Sequence, residues 1–425
     1  MLPLALLPPH AYNQGALSGG RVRFGRWVPQ DVKCGRSGSR TVTAAGAAGA
    51  TLPWDADRML RPYNASLDHE AESAVRSKHP TVRYKKAATC GPAPVRPVKR
   101  VPGRWRCQER ERLGEQGVAL LVGVHTSPLN RARRDAIRPT WASYPTNSTL
   151  VCFIIGLGGL TDETRGALQT ESAAYGDMVL LPGVRDGTCH ITMEKAFGWW
   201  SWAAGTAVPH IARVDDDTFV HLPTMESVLA PLACHRMLVF GMLAYVGYNP
   251  LTFRKCGFGW TGDGPWKRYG CAATGAHEPT LFPSGMLQVL SLPVARAIAS
   301  SASVQNFVRR ASQLIDLSDW DRTEDVALGF WIGQLLVEPD RLPQQQPNGA
   351  NRQQIALPSV TFVRATPSQA HNLGCQKHVG LYRNPRKGSA AIHYIKRPSG
   401  IAYIYRVLGG EQHVGKACTR ATGVG

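Results

Sequence analysis

Short apolar runs alternate with longer amphipathic segments through the middle of the chain. The continuous apolar runs are typical of strands that are buried on both faces, and the segments between them repeat with the period of a helix. Strands are predicted at 117–124, 150–156, 178–181, 210–214 and 237–243. Helices are predicted at 161–175, 191–204 and 293–314, and a further one begins near Glu324.

This alternation predicts an α/β protein with a single, mostly parallel sheet flanked by helices on both faces. In such sheets ligands bind beyond the carboxyl ends of the strands. The predicted strand 210–214 ends directly at three aspartates, Asp215, Asp216 and Asp217. The sequence therefore predicts the functional site at this edge of the sheet.

The composition divides the chain into three parts. Residues 1–115 are rich in Gly, Ala, Pro, Ser and Arg and show no sustained period, so they are interpreted as a flexible, basic stem. Residues 116–410 are expected to form one compact domain, with a polar surface insertion at 341–353, and 411–425 form a tail.

The net charge of +19 raises the question of nucleic-acid binding. The excess lies in the flanks, at +11 for residues 1–116 and +10 for residues 340–425, whereas residues 117–339 have −2. A domain that binds polyanions has its positive charge on the folded face that meets the phosphates. The neutral middle of this chain argues against a nucleic-acid partner.

The aspartate cluster is the strongest chemical signal. Three adjacent carboxylates repel one another unless a cation neutralises them, and carboxylates suit Mn²⁺ or Mg²⁺ that bridges protein to substrate phosphates. A solvated acidic turn is the alternative interpretation. The pattern of aspartyl-phosphate hydrolases does not fit, because it requires Thr or Val where Phe219 stands.

Two arginines and two acids are further candidates. Arg134 and Arg138, in RRDAIRPTW, share a helix face and suit an anionic ligand, although a basic amphipathic helix would show the same pattern. Glu324 and Asp325 open a predicted helix. Each of these acids could stabilise the helix by interacting with the positive end of its dipole, or could accept the proton of an attacking hydroxyl. His393, in AAIHYIKR, is either a core residue or a metal ligand.

The order of these motifs resembles one known family. LLVGVHT, RRDAIRPTW, YGDMVLL, RVDDDTFV, SGMLQVLS, EDVALG and AIHYIKRP follow one another as in the β1,3-galactosyltransferase and fringe-like family of inverting glycosyltransferases, over residues 117–407. The resemblance implies a GT-A-like nucleotide-sugar-binding fold with one mixed sheet. One departure is Gln288, at a position where the family usually has an aromatic residue.

The resemblance also implies roles for individual residues. Asp217 and His393 match the expected ligands of Mn²⁺, with Mg²⁺ as the alternative ion. Asp215, Asp216, Arg134 and Arg138 match positions expected to bind the donor. Asp325 matches the catalytic base, and Glu324 is the fallback for that role.

The implied activity is an inverting transfer of a hexose from a UDP-sugar to a glycan or glycoprotein, forming a β1,3 linkage. Galactose is the expected sugar, and N-acetylglucosamine or another hexose is the alternative. A catalytically silent module that binds glycans or nucleotide sugars is the competing interpretation.

The family resemblance implies a type II Golgi anchor, but no apolar run of about 20 residues occurs in this sequence. Either the protein has no anchor, or its amino terminus precedes this sequence. Ten cysteines, none paired at two-residue spacing, are compatible with disulfides in an oxidising lumen. Cys256 and Cys271 are the pair expected to form one. Asn64 and Asn147 lie in glycosylation sequons.

Overall fold

The apolar runs form strands that pair in one large sheet. The structure, a computed structural model, describes residues 82–85, 105–146, 148–186, 192–250, 253–256, 279–314, 324–335, 360–374 and 382–409. The strands of the large sheet are β1 (Val82–Lys85), β2 (Leu120–His125), β3 (Thr149–Gly158), β4 (Met178–Arg185), β5 (His210–Asp215), β7 (Leu238–Asn249), β8 (Arg254–Cys256), β9 (Pro279–Ser291) and β10 (Val360–Arg364). A smaller sheet contains β6 (Phe219–Val220), β11 (Ala370–Leu373), β12 (Tyr382–Arg383) and β13 (Ala391–His393).

The large sheet is mixed and mostly parallel. Its order is β1-β10-β7-β9-β5-β2-β3-β4, with β8 paired to the outer part of β7. Strands β5, β2, β3 and β4 are mutually parallel, as are β1, β10 and β7. Strand β9 joins these two groups by antiparallel pairing with β5 and β7. The predicted α/β class and mostly parallel mixed sheet are confirmed, whereas the small second sheet departs from the single sheet that was predicted.

Helices cover both faces of the large sheet, so each face has its own hydrophobic core. Alternating positions of β2 show the division, because Leu121 packs in one core with Trp199, and Val122 packs in the other with Ile137. The helices of the first face are α3 (Thr192–Ala203), α5 (Leu292–Ser300), α6 (Ala302–Leu314) and α7 (Glu324–Phe330). Those of the second face are α1 (Arg131–Ile137), α2 (Asp162–Tyr175), α4 (Leu222–Leu229) and α8 (Pro398–Leu408).

Two sequence predictions differ from the observed elements. The single helix predicted at 293–314 is two helices, because Ser301 has an extended backbone (φ −73°, ψ 114°) that no helix can continue through. The strand β9 was not predicted, since Pro283 interrupts its sequence. Helix α2 ends where expected, at Tyr175, and the next residue, Gly176, has a φ of 69°, a conformation that glycine adopts without strain.

The folded region begins before residue 116, the boundary that composition predicted. Cys107 and Leu113 are fully buried, and Cys107 forms a disulfide with Cys152 of β3. Strand β1, still further upstream, extends the large sheet beside β10. Outside the described residues lie the rest of the predicted stem, the insertion at 341–353, the tail at 411–425, the second cysteine of the predicted 256–271 disulfide and the asparagines of both sequons.

Within the described ranges, no helix combines the length and the apolar composition that crossing a bilayer requires.

Candidate active site

The three aspartates lie where strand β5 leaves the sheet. Ile211 and Val214 are buried on opposite faces of β5, and Asp215 is its last residue. The Thr218 N–H donates to the carbonyl of Asp215 at 3.0 Å, which turns the chain back towards β6. The cluster therefore lies at the carboxyl edge of the parallel strands, as the sequence predicted.

The small sheet brings His393 to this edge. Strand β13 pairs with β6 in antiparallel register, and His393 is its last residue. The Nε2 atom of His393 lies 3.0 Å from Oδ1 of Asp217 and 3.8 Å from Oδ2 of Asp215. One ligand atom from each of these three residues fits within 4.8 Å of the others. The structure thus brings together the two predicted metal ligands and adds Asp215 to them.

The other ring nitrogen of His393 determines how the imidazole is presented. Nδ1 lies 3.0 Å from Oδ1 of Asn372, a buried residue of β11. An amide oxygen can only accept, so Nδ1 must carry the proton. Nε2 then faces two carboxylates, an arrangement that is satisfied either by a proton on Nε2 or by a metal cation between these groups. This donor set fits a divalent ion such as Mn²⁺ or Mg²⁺.

Asp217 has a second basic neighbour. Its Oδ2 accepts from Nζ of Lys396 at 2.5 Å. Burial alone would raise the pKa of Asp217, but His393 and Lys396 outweigh it and hold the pKa well below its usual value. Asp217 is therefore ionised throughout the physiological pH range, as a metal ligand must be.

Asp216 has a different set of partners. Its Oδ2 accepts from the hydroxyl of Thr126 and the amide of Asn130, each at 2.8 Å, and Arg133 lies 3.5 Å from Oδ1. These donors come from the loop after β2 and from α1, so Asp216 fastens that segment to the end of β5. Donor binding by Asp216 stays a prediction.

A buried arginine connects Asp215 to helix α7. Arg213, which is 1% exposed, places Nη2 3.1 Å from Oδ1 of Asp215 and 2.5 Å from Oε1 of Glu324. Its other donors reach Nδ1 of His125 and Oε1 of Gln288. Gln288 thus accepts one of the hydrogen bonds that Arg213 donates. The family resemblance predicts an aromatic residue at this position.

Neighbouring groups crowd the partly exposed carboxylate of Asp215. Burial raises its pKa to about 7, against the attraction of Arg213. A Cβ atom on Gly285 of β9 would lie only 3.0 Å from Oδ2 of Asp215. Glycine at this position lets β9 approach the carboxylate closely.

The two acids of helix α7 face different partners. Glu324 pairs with Arg213, as described above. Asp325 accepts from the Val326 N–H through Oδ1 at 2.8 Å, a contact within the first helical turn. Because Glu324 contacts the arginine that binds Asp215, the first turn of α7 lies beside the aspartate cluster. The assignment of Asp325 as base, with Glu324 as fallback, stays a prediction.

Comparison with known protein families matches the part of the chain that contains this site. The model of the galactosyltransferase family matches residues 132–343, about half of the chain, which extend from α1 through the aspartate cluster to α7. The chain belongs to the galactosyltransferase family.

Several of its relatives are named as β1,3-glycosyltransferases. Beta-1,3-galactosyltransferase 6 of Mus musculus is 26% identical over 236 residues, which are 53% of this chain and 63% of the relative. The lactosylceramide 1,3-N-acetyl-beta-D-glucosaminyltransferase of Xenopus tropicalis is 31% identical over 141 residues, which are 30% of this chain and 37% of the relative. The chain therefore spans less than two thirds of each relative's length.

Solved structures add little to this comparison. A crystal structure of the galactosyltransferase LgtC with donor and acceptor sugar analogs aligns with 71% of this chain and 99% of its own. Its sequence identity is 11% and its TM-score is 0.34, a value too low to support an argument about the site.

Arg134 and Arg138, predicted to bind the donor, are engaged elsewhere in this galactosyltransferase-family domain. Arg134, which is 1% exposed, forms a bidentate salt bridge with Glu171 of α2. Its Nε and Nη2 atoms donate to the two carboxylate oxygens at 2.8 and 2.7 Å. Arg138 donates to Glu171 and Asp177 and lies 3.8 Å from the ring centroid of Tyr175. These contacts support the alternative interpretation, in which the two arginines hold α1 against α2. They do not support the predicted donor binding.

Four residues that the sequence analysis did not single out belong to the site: Arg133, Arg213, Asn372 and Lys396. Arg213 had a detectable signal, since an arginine in a buried strand two residues before an acidic cluster requires buried anionic partners. Lys396 stands three residues after a candidate metal ligand. For Arg133 and Asn372 the sequence offered no comparable signal, because their roles depend on contacts with distant segments.

Proposed function

We propose that this chain is an inverting hexosyltransferase that transfers a sugar from a UDP-sugar to a glycan or glycoprotein acceptor and forms a β1,3 linkage. Galactose is the proposed sugar, and N-acetylglucosamine is the alternative, since relatives of both kinds match the chain. One observation supports the proposal above all. Asp215, Asp217 and His393 converge beside the two acids of α7 at the carboxyl edge of the sheet.

The proposed ion is Mn²⁺, with Mg²⁺ as the alternative, held by Asp217 and His393 with Asp215 beside them. When bound, such an ion neutralises the charge that develops on a leaving diphosphate. Asn372 keeps the proton on Nδ1 of His393, so that Nε2 remains available as a ligand. Arg213 bridges Asp215 and Glu324, since one guanidinium nitrogen donates to both carboxylates.

The acceptor hydroxyl is deprotonated by a carboxylate of the first turn of α7, which we assign to Asp325. The oxygen of the acceptor hydroxyl forms a bond to the anomeric carbon as the bond from that carbon to the diphosphate oxygen breaks. The proton stays on the carboxylate and the electron pair leaves with UDP. A single displacement from the opposite face inverts the anomeric configuration.

We also propose that the protein acts in the Golgi lumen. The disulfide between Cys107 and Cys152 supports an oxidising compartment. Immunofluorescence of the tagged protein against a Golgi marker tests the assignment, and a cytosolic signal would contradict it.

Release of free UDP from UDP-sugars in the presence of Mn²⁺ and mixed glycan acceptors tests the activity. We expect acceptor-dependent release, which stops when EDTA is added and in the Asp217→Asn variant, because that change removes a charged metal ligand. Lys387→Gln, at an exposed turn, is the matched control and should retain activity. Binding of UDP without acceptor-dependent release would instead indicate the silent binding module. Release that survives both EDTA and Asp217→Asn would contradict the metal site.

A further inference from the structure

Lys396 is a cation placed against a proposed metal ligand. Its Nζ atom contacts Oδ2 of Asp217, while His393 contacts Oδ1 of the same carboxylate. The side chain of Lys396 is 48% exposed, and its ammonium group lies 4.2 Å from the ring centroid of Tyr394. Lys396 therefore reaches into the site from its rim and can also extend towards solvent.

The backbone that presents Lys396 is firmly held. The Ile395 N–H donates to the carbonyl of Asp217 at 3.0 Å, and Arg133 donates to the carbonyls of Ile395 and Lys396 at 3.0 and 2.8 Å. Tyr394 has a φ of 72°, a conformation that a bulky residue keeps only when its surroundings impose it. The Cα atom of Lys396 is thus fixed beside the cluster, and its four-carbon side chain supplies the freedom of movement.

The charges predict a conflict between Lys396 and a metal ion. A divalent cation bound to Asp217 would repel an ammonium group on the same carboxylate, because like charges a few ångströms apart repel one another. A donor diphosphate would bring new negative charge to the metal. Lys396 would then have a second anionic partner within reach of its flexible side chain.

We propose that Lys396 is a movable counter-ion that couples metal binding to donor binding. It pairs with Asp217 before the donor arrives and with the donor diphosphate afterwards. This inference rests on the proposed function, in which a metal at Asp217 and His393 holds a nucleoside diphosphate. It adds a diphosphate-binding residue from the segment after β13.

The coupling makes an observable prediction for metal affinity. In the wild type, Mn²⁺ should bind weakly alone and more tightly when UDP is present, since UDP draws Lys396 away from Asp217. In Lys396→Gln, Mn²⁺ alone should bind at least about 5-fold more tightly, and the enhancement by UDP should fall by at least about 5-fold, the lower end of typical coupling between two ligands. UDP affinity should fall in the same variant.

A fixed structural role predicts the opposite sign. If Lys396 only orients Asp217 for the metal, its removal weakens Mn²⁺ binding in the absence of UDP. The sign of this change therefore separates the two roles.

The test measures free Mn²⁺ by electron paramagnetic resonance in titrations of the purified protein, with and without UDP. Lys396→Arg keeps the charge and should retain most of the coupling. Lys387→Gln, which removes one positive charge from an exposed turn, should match the wild type. Weaker Mn²⁺ binding by Lys396→Gln without UDP, or unchanged coupling, would overturn the inference. A wild type that binds neither Mn²⁺ nor UDP would overturn the proposed function and this inference with it.

Discussion

Replacing each acid of helix α7 by its amide separates catalysis from helix stabilisation. Asp325→Asn keeps an oxygen that can accept from the Val326 N–H, the contact seen at 2.8 Å. Glu324→Gln keeps an oxygen opposite Arg213 but removes the charge. Neither change alters the size of the side chain, so differences in activity report the loss of a carboxylate.

The structure sets different stability costs for the two changes. Asp325→Asn retains its helix contact, so the free energy of unfolding should fall by less than about 1 kcal/mol. Glu324→Gln leaves the guanidinium of Arg213, which is 1% exposed, with a neutral partner. Hydrogen bonds to charged groups contribute about 1.5–3 kcal/mol, so this variant should lose an amount in that range. Asp215, 3.1 Å from the same guanidinium, limits the loss.

Turnover should show the reverse order. A general base contributes at least about 100-fold, or about 2.7 kcal/mol of barrier, so Asp325→Asn should lose that much turnover while its affinity for UDP stays near that of the wild type. Glu324→Gln should retain most of its turnover. The assays are chemical denaturation for stability, UDP release for turnover, and calorimetry for UDP binding.

Two outcomes would refute the assignment. Near-normal turnover in Asp325→Asn, together with a large loss in Glu324→Gln, would transfer the role of base to Glu324. Near-normal turnover in both would leave the proposed mechanism without a base.

Two further predictions concern groups that do not react. Glu171→Ala should lower the free energy of unfolding by about 3–5 kcal/mol, because it leaves buried Arg134 unpaired. Burial raises the pKa of Glu171, but its arginine partners outweigh burial and lower the pKa. The stabilisation that the ionised Glu171 provides is therefore present above the ordinary glutamate pKa of about 4.3 and is lost as the pH falls. Denaturation of both proteins at pH 7 and at pH 3 checks it, and an equal difference at both would contradict it. Asn372→Ala should weaken Mn²⁺ binding by about 10–100-fold, because His393 loses the partner that fixes its tautomer. Titration with Mn²⁺ measures this, and unchanged affinity would contradict the role of Asn372.

Local patterns were sufficient to place the edge of the site. A buried strand that ends in three aspartates must present them where the strand leaves the sheet, and β5 does so. Helix α7 begins at Glu324, as its acidic first turn predicted. Both features depend on a few adjacent residues, which is why the sequence alone locates them.

The face of helix α1 that meets the site could not be predicted. Successive residues on a helix differ by about 100° in direction, so Arg133 and Arg134 point to different neighbours. Arg134 meets Glu171 of α2, whereas Arg133 meets Asp216 and the segment after β13. The spacing of arginines shows which of them share a face, but the direction of that face depends on how α2 packs.

The contacts of His393 could not be predicted from the sequence either. Its link to Asn372 depends on the pairing of β11 with β13, and its approach to Asp217 depends on the pairing of β6 with β13. The position of Lys396 depends further on the left-handed backbone at Tyr394, which no residue preference would predict. Each of these contacts joins segments that are far apart in the chain or uses an uncommon conformation.

The antiparallel pairing of β6 with β13 also has a consequence for synthesis on the ribosome. Asp217 and Lys396 are separated by 179 positions. At translation rates of about 5–20 residues per second, Asp217 is made roughly 9–36 s before Lys396. During that interval the growing chain has its acidic cluster but neither the imidazole nor the ammonium group that later neutralises it. A polypeptide that stops before residue 391 would contain every aspartate of the site and still lack the strand that completes it.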